Sequence, residues 1–152
     1  MVSWTPGKAE VAVGKFMHLF ASLLTLVVGL VHLSKRKPRI HWPDSGFITD
    51  NNIYWRYQMF SFAPSVFIDN WTAVVLGGWG IMSHLQVSGR FLGAPAKSFI
   101  TASIFLIFMG LFGTLAYAGG LGIIFSIFTF LAAVIALVLA FTNNQSASLE
   151  IH

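Results

Sequence analysis

His18 and His84 are the residues of this chain best placed to do chemistry. Each sits in an apolar stretch, on a stripe of small residues. An ionisable side chain inside an apolar span is costly, and it marks a candidate site by default. If the two stretches run antiparallel, both histidines come to the same side. Two facing imidazoles with glycine nearby could ligate a haem iron axially, or each could hold a chlorophyll magnesium. The competing reading is packing: a seam histidine that hydrogen-bonds a Ser or Thr of a neighbouring helix, or that sits at the headgroup boundary. His32 is expected near the opposite side, without an obvious helical partner. Asp69 suits the interface at a helix start, where an acid favours the dipole. A proton relay through it would need a deeper partner, and none is evident.

The other chemical classes drop out. No nucleophile–base pair, carboxylate pair or metal-spaced cluster is present, which predicts a protein without catalytic chemistry. The chain has no cysteine, which excludes disulfides, Cys-ligated zinc, iron–sulfur clusters and lipidation at cysteine. Walker, dinucleotide and HExxH motifs are missing. Lys35, Arg36, Lys37 and Arg39 form the clearest charge cluster. Its functional reading is contact with anionic lipid headgroups. Its plainer reading is a stop signal for the preceding helix. Two sequons occur, at Asn70 and Asn144. The first lies too close to the expected bilayer to be an acceptor, and the second is usable only if that end faces a lumen.

The elements that would carry these residues follow from composition. The chain is 56% hydrophobic and 9% charged over 152 residues, and its mean hydropathy is +0.76. Soluble domains carry about 25% charged residues. The net charge of +4 in so apolar a chain points to membrane surfaces, not to nucleic acid. Residues 98–149 contain no Asp, Glu, Lys, Arg or His. As one helix that run would extend about 78 Å, against a bilayer core of about 30 Å. It must fold back, and Gly119-Gly120 is the expected turn.

The reading is therefore an all-α, polytopic membrane protein, a four-helix transmembrane bundle in a single domain spanning 1–152. The expected helices are about 13–33, 64–85, 98–117 and 121–142. Pro38 bars helix 1 from continuing past the basic cluster. The first apolar stretch runs into that cluster, not into a small-residue cleavage site, so a retained helix is expected. The aromatic stretch from Ile53 to Phe62, carrying Arg56, reads as an interfacial segment between helices 1 and 2 or as a loop packed on helix ends. Basic residues fall into two groups, Lys8, Lys15, Arg90 and Lys97 against the first-loop cluster with Arg56. That split does not decide topology, although the cluster favours the first loop inside.

In lipid, small residues decide which helix faces meet. Helix 4 places Gly122, Ser126, Thr129, Ala133, Ala136 and Ala140 at alternating steps of four and three. Helix 1 places His18, Ser22, Thr25, Gly29 and His32 in the same rhythm, and helix 2 places Ala73, Gly77, Gly80 and His84 likewise. Helix 3 is less regular, with Ala102, Met109, Gly113 and Ala116 on one face and Gly110 beside it. Such repeats predict seams turned inward, left-handed packing and Phe and Leu facing lipid.

The order of features also resembles a known family. An opening helix that reads Lys15 to Gly29 is followed by a second span and a basic linker. Then come the aromatic-aliphatic run from Ile104 to Gly113 and a glycine-turned last helix, with Gly89-Arg90 upstream of that run. This resembles the small four-span COPI-associated Golgi membrane proteins over about two-thirds of the chain. The resemblance implies a vesicle-trafficking role and contributes no functional residue.

The expected function is a non-enzymatic accessory subunit or packing module of a larger membrane complex. Its partners would be the lipid bilayer and other membrane subunits, with no cofactor. One alternative is the Golgi trafficking protein. Another is a haem b- or chlorophyll-binding subunit of an electron-transfer or photosynthetic complex, held through His18 and His84. The expected location is a multi-pass position in a Golgi, mitochondrial inner or thylakoid membrane. A small transporter or channel is a weaker option, because only Ser22, Thr25, Ser126 and Thr129 would line its seam.

Overall fold

The computed structural model describes residues 8–41, 58–61, 64–85, 92–115, 117 and 119–142. Among them, four α-helices account for most of the chain. The first, α1 (Lys8–Ser34), begins five residues before the expected start, with Glu10 in its first turn and His32 in its last. The Glu10 carboxylate complements the helix dipole at the start. The helix stops where Lys35 and Arg36 donate their backbone N–H groups to the carbonyls of His32 and Leu33, at 3.2 and 2.9 Å. Pro38 then forbids another turn.

The segment after α1 departs from an all-α fold. Strand β1 (Lys37–His41) pairs in parallel with β2 (Gln58–Ser61), with Ile40 opposite Phe60. The ladder is irregular between Lys37 and Ile40, where Pro38 has no N–H to give. The expected interfacial aromatic segment therefore includes a short strand at 58–61; its residues 53–57 and Phe62 lie outside the described residues. The Trp71 indole N–H donates to the Met59 carbonyl at 3.1 Å, which ties β2 to the next helix.

That helix is α2 (Pro64–Met82). Proline suits a helix start, where its missing N–H costs nothing. The helix ends three residues earlier than expected. The N–H groups of His84 and Leu85 reach back only to the carbonyls of Ile81 and Met82, a tightening common at helix ends. A 3-10 turn (Ala94–Ala96) leads to α3 (Phe99–Met109). Ser98 and Thr101 close a reciprocal capping box at its start, satisfying backbone donors that would otherwise be orphaned. From Gly110 to Leu115 the chain widens into π-helix. Gly119, at φ +57°, then makes the turn into α4 (Gly120–Thr142). The helical regions Ala9–Ser34 and Gly120–Thr142 are long and apolar enough to cross a membrane; Phe99–Leu115 is apolar but shorter.

Small residues set the helix contacts. Along α1 and α2, Gly29 faces Ala73 and Val74, Gly77 faces Ser22 and Leu26, and Gly80 lies on the Ser22 side chain. Partners that advance on one helix retreat on the other, so the two run antiparallel. Gly14 meets Phe99 and Thr25 meets Gly113, which makes α3 parallel to α1. Gly14 also lies by Leu139, and Phe20 stacks edge-on to Phe128 at 6.3 Å, which makes α4 antiparallel to α1. The buried face of α4 is Gly122, Ser126, Thr129, Ala132, Ala133, Ala136 and Ala140. All six expected seam positions are on it. Its larger side chains, among them Ile124, Ile127, Leu131, Val134 and Val138, point outward.

The hydroxyls on these seams behave differently from the expected cross-helix bonding. Ser22, Thr25, Ser126 and Thr129 donate to carbonyls three or four residues back in their own helices. That local bond is always within reach of a helical Ser or Thr. The hydroxyl that does bridge helices is Ser103, which donates to Ala133 O at 2.9 Å.

Candidate functional site

The antiparallel register of α1 and α2 brings His18 and His84 together. His18 Nδ1 and His84 Nε2 lie 2.6 Å apart, and both side chains are fully buried. The rings meet edge-on with centroids 4.7 Å apart, and Phe105 of α3 lies 5.8 Å from His18. A bond this short needs one nitrogen protonated and the other bare, so the pair shares a proton across the helix contact. Ser22 lies one turn from His18 and packs on Gly80, closing the site on that side. His18 Nε2, the other nitrogen of that ring, is buried with no hydrogen-bond partner among the described residues. The arrangement can hold or pass a proton. Each nitrogen on a shared metal would need about 2 Å to the ion, so the bonded pair would have to part for an iron to enter. No group of three or more His, Cys, Asp or Glu is placed to hold a metal ion among the described residues.

A second polar cluster closes the far end of the same helix pair. Arg36 Nη2 lies 3.0 Å from His32 Nε2 and 3.7 Å from the Asp69 carboxylate. The Asn70 side-chain amide N–H donates to Met59 O at 3.5 Å. The His32 ring meets Tyr117 edge-on at 5.0 Å. Burial pushes the Tyr117 phenol above the ordinary value, partly offset by the neighbouring Thr72 hydroxyl. Beside this cluster, α2 and the end of α3 part to leave an open groove of about 480 Å³. Ser65, Ile68, Asp69, Thr72, Phe108, Phe112 and Tyr117 line it.

The residues singled out in the sequence thus fall into two places. His18 and His84 meet directly. The basic cluster divides: Lys35, Lys37 and Arg39 are exposed, whereas Arg36 turns inward to His32 and Asp69. His32 has the partners that its sequence context did not reveal. Asn70, Phe105 and Tyr117 are additions that sequence reasoning missed. The one available signal was that His32 and His18 share a seam two heptads apart, so a partner was to be sought at each end of α2. The buried Asn70 side chain also removes the first sequon as an acceptor.

No protein family, curated protein or solved structure matches this chain.

Proposed function

We propose that the chain is a four-span, non-enzymatic membrane protein that acts as an accessory or packing subunit of a larger membrane assembly. The observation that carries this reading is where large and small side chains lie. Small and short polar residues make much of the inner faces of α1, α2 and α4, α3 contributes Phe99, Phe105, Leu106 and Met109 to the interior, and the outer faces carry large apolar side chains. Phe16, Ile104 and Phe141 are 64%, 63% and 83% exposed. Water penalises such a surface at about 25 cal/mol per Å², and soluble monomers rarely carry apolar patches beyond a few hundred Å². Lipid tails or partner helices remove the penalty. The outer faces of all four helices offer large apolar side chains without a built catalytic cleft.

The test uses the chain's lack of cysteine. Single cysteines placed at Ser34 and at Thr142 should label from opposite sides, as four spans require, in membranes that retain the protein after alkaline carbonate; labelling from the same side overturns the four-span reading. Release into the carbonate supernatant overturns the membrane reading. Copurification from native membranes should return a reproducible set of partners; a protein recovered alone removes the accessory role.

A second reading, a cofactor-binding subunit, is supported by His18 Nε2, which is buried with no hydrogen-bond partner among the described residues, although the His18–His84 bond would have to open for both rings to ligate one ion. It predicts a Soret or chlorophyll absorption band in protein purified from native membranes, lost in His18→Ala or His84→Ala. A colourless preparation overturns it. The Golgi trafficking alternative rests on the family resemblance and predicts colocalisation with Golgi membranes.

A further inference from the structure

We infer that the groove between α2 and α3 seats one phospholipid with a primary-ammonium headgroup, a phosphatidylethanolamine. Its ammonium would donate to Asp69, and its acyl chain would lie along Phe108 and Phe112. The inference deepens the membrane reading above and rests on it. Three observations carry it.

The first is the charge at the groove. Asp69 lines it and is 62% exposed, while the nearby Arg36 side chain is 17% exposed at 3.7 Å. Among the described residues the acids are Glu10 and Asp69, so in a basic chain this groove has an anionic wall next to a cation. A zwitterion matches that pair: ammonium toward the carboxylate, phosphate toward the guanidinium. Hydrogen bonds to ionised groups are the stronger kind. The second is depth. Asp69 lies five residues into α2, about 7.5 Å along the axis, at the end of the molecule where α1 stops and α3 turns into α4. Ammonium and phosphate groups of a bilayer occupy that level, and a carboxylate is tolerated there far better than at the centre. The third is the shape of the lining. Polar groups, Asp69, Thr72 and Tyr117, share the groove with Ile68, Phe108 and Phe112, whose side chains are exposed on the outer faces of α2 and the end of α3. A protein segment would have to bring an ammonium to that depth alongside a chain-shaped apolar strip; one lipid does both.

A primary ammonium is favoured over choline because Asp69 is an acceptor that needs N–H donors, and a trimethylated nitrogen has none. The experiment is native mass spectrometry of the full chain released from nanodiscs that contain equal phosphatidylethanolamine and phosphatidylcholine. Wild type should retain phosphatidylethanolamine about ten-fold over phosphatidylcholine, the scale of one charge-assisted bond. Asp69→Asn should bring that ratio to about one, and Asp69→Glu should keep most of the preference. Phe108→Trp, which fills the groove from its apolar side, should lower retention of both lipids. Equal retention of the two lipids by folded wild type overturns the inference, as does an unchanged preference in Asp69→Asn. Carbonate release of the protein would instead overturn the membrane reading itself, so the two failures are separable.

Discussion

His18 and His32 occupy the same stripe of α1, yet their surroundings have little in common. His18 is sealed among helices and bonded to a second imidazole, with Phe105 beside it. His32 is half-buried among an arginine, a carboxylate, an amide and a phenol, next to an open groove. The dry end is held by shape, through glycines that admit the partner backbone. The wet end is held by the Arg36–Asp69 charges, whose carboxylate water reaches, packed beside the buried Asn70 and Tyr117. One helix pair therefore uses two kinds of adhesion, one at each of its ends. A buried hydrogen bond lost at the first end leaves an unpaired atom with nothing to replace its partner. At the second, solvent fills in.

The contrast can be broken most severely at the glycines. A Cβ on Gly77 would lie 2.5 Å from the Leu26 backbone nitrogen and 2.8 Å from its Cα, whereas one on Gly78 meets nothing within 4 Å. Gly77→Ala should therefore destabilise by about 2–3 kcal/mol, and Gly77→Leu should abolish accumulation. Gly78→Ala should be nearly neutral or slightly stabilising. Denaturation in mixed micelles measures the difference, and equal behaviour of the two alanine variants would contradict the close contact.

The next largest effect is expected at the histidine pair. His18→Leu or His84→Leu should each cost about 1–3 kcal/mol, because each leaves the other ring's buried nitrogen unpaired. Removing both should cost less than the sum of the two, a coupling that a double-mutant cycle reads directly. Strict additivity would mean that the 2.6 Å bond does not form.

Smaller again is Arg36→Gln, expected to cost under about 1 kcal/mol, as exposed and half-exposed pairs do. Its effect should shrink with added salt, while that of His18→Leu should not. A salt-independent loss at Arg36 would remove the distinction between the two ends.

The smallest effect concerns pH at Tyr117. Its folded phenol titrates above the ordinary value because burial disfavours the phenolate. The folded state thus holds that proton more tightly than the unfolded chain. The associated stability is fully present below about pH 10, the ordinary phenol value, and is lost as pH rises through the higher folded one. Tyr117→Phe should flatten that alkaline decline in melting temperature, and an unaltered slope would assign the decline to other groups.

Much of the shape was legible because spacing alone carries it. The six small residues of α4, four and three apart, mark its buried face, and Gly119 with Gly120 marks the turn. The glycines of α2 and the histidines of α1 already imply antiparallel neighbours, and the meeting of His18 with His84 follows from that register. The direct ring-to-ring bond does not, since it also depends on how each helix is rotated and on where α2 unwinds. Three further features have no local signature. The β1–β2 pairing joins residues about twenty apart whose intrinsic preferences are weak, and tertiary context decides such strands. The π-helical stretch from Gly110 to Leu115 shifts the face of α3 partway along, which is why its seam reads as irregular. The Arg36–Asp69 and His32–Tyr117 contacts join side chains from distant segments, and no periodicity predicts them.

The turn at Gly119 has a consequence for how the protein is made. The π-helix ends at Leu115 and α4 begins at Gly120. Gly122 sits so tightly beneath the turn that a Cβ there would collide with the carbonyls of Thr114 and Tyr117. A connection this short has no slack to hold one helix in a bilayer while the other waits outside it. On the membrane reading, the ribosome and its translocation partner must therefore deliver α3 and α4 as one closed unit. A charge introduced into either would be expected to strand both.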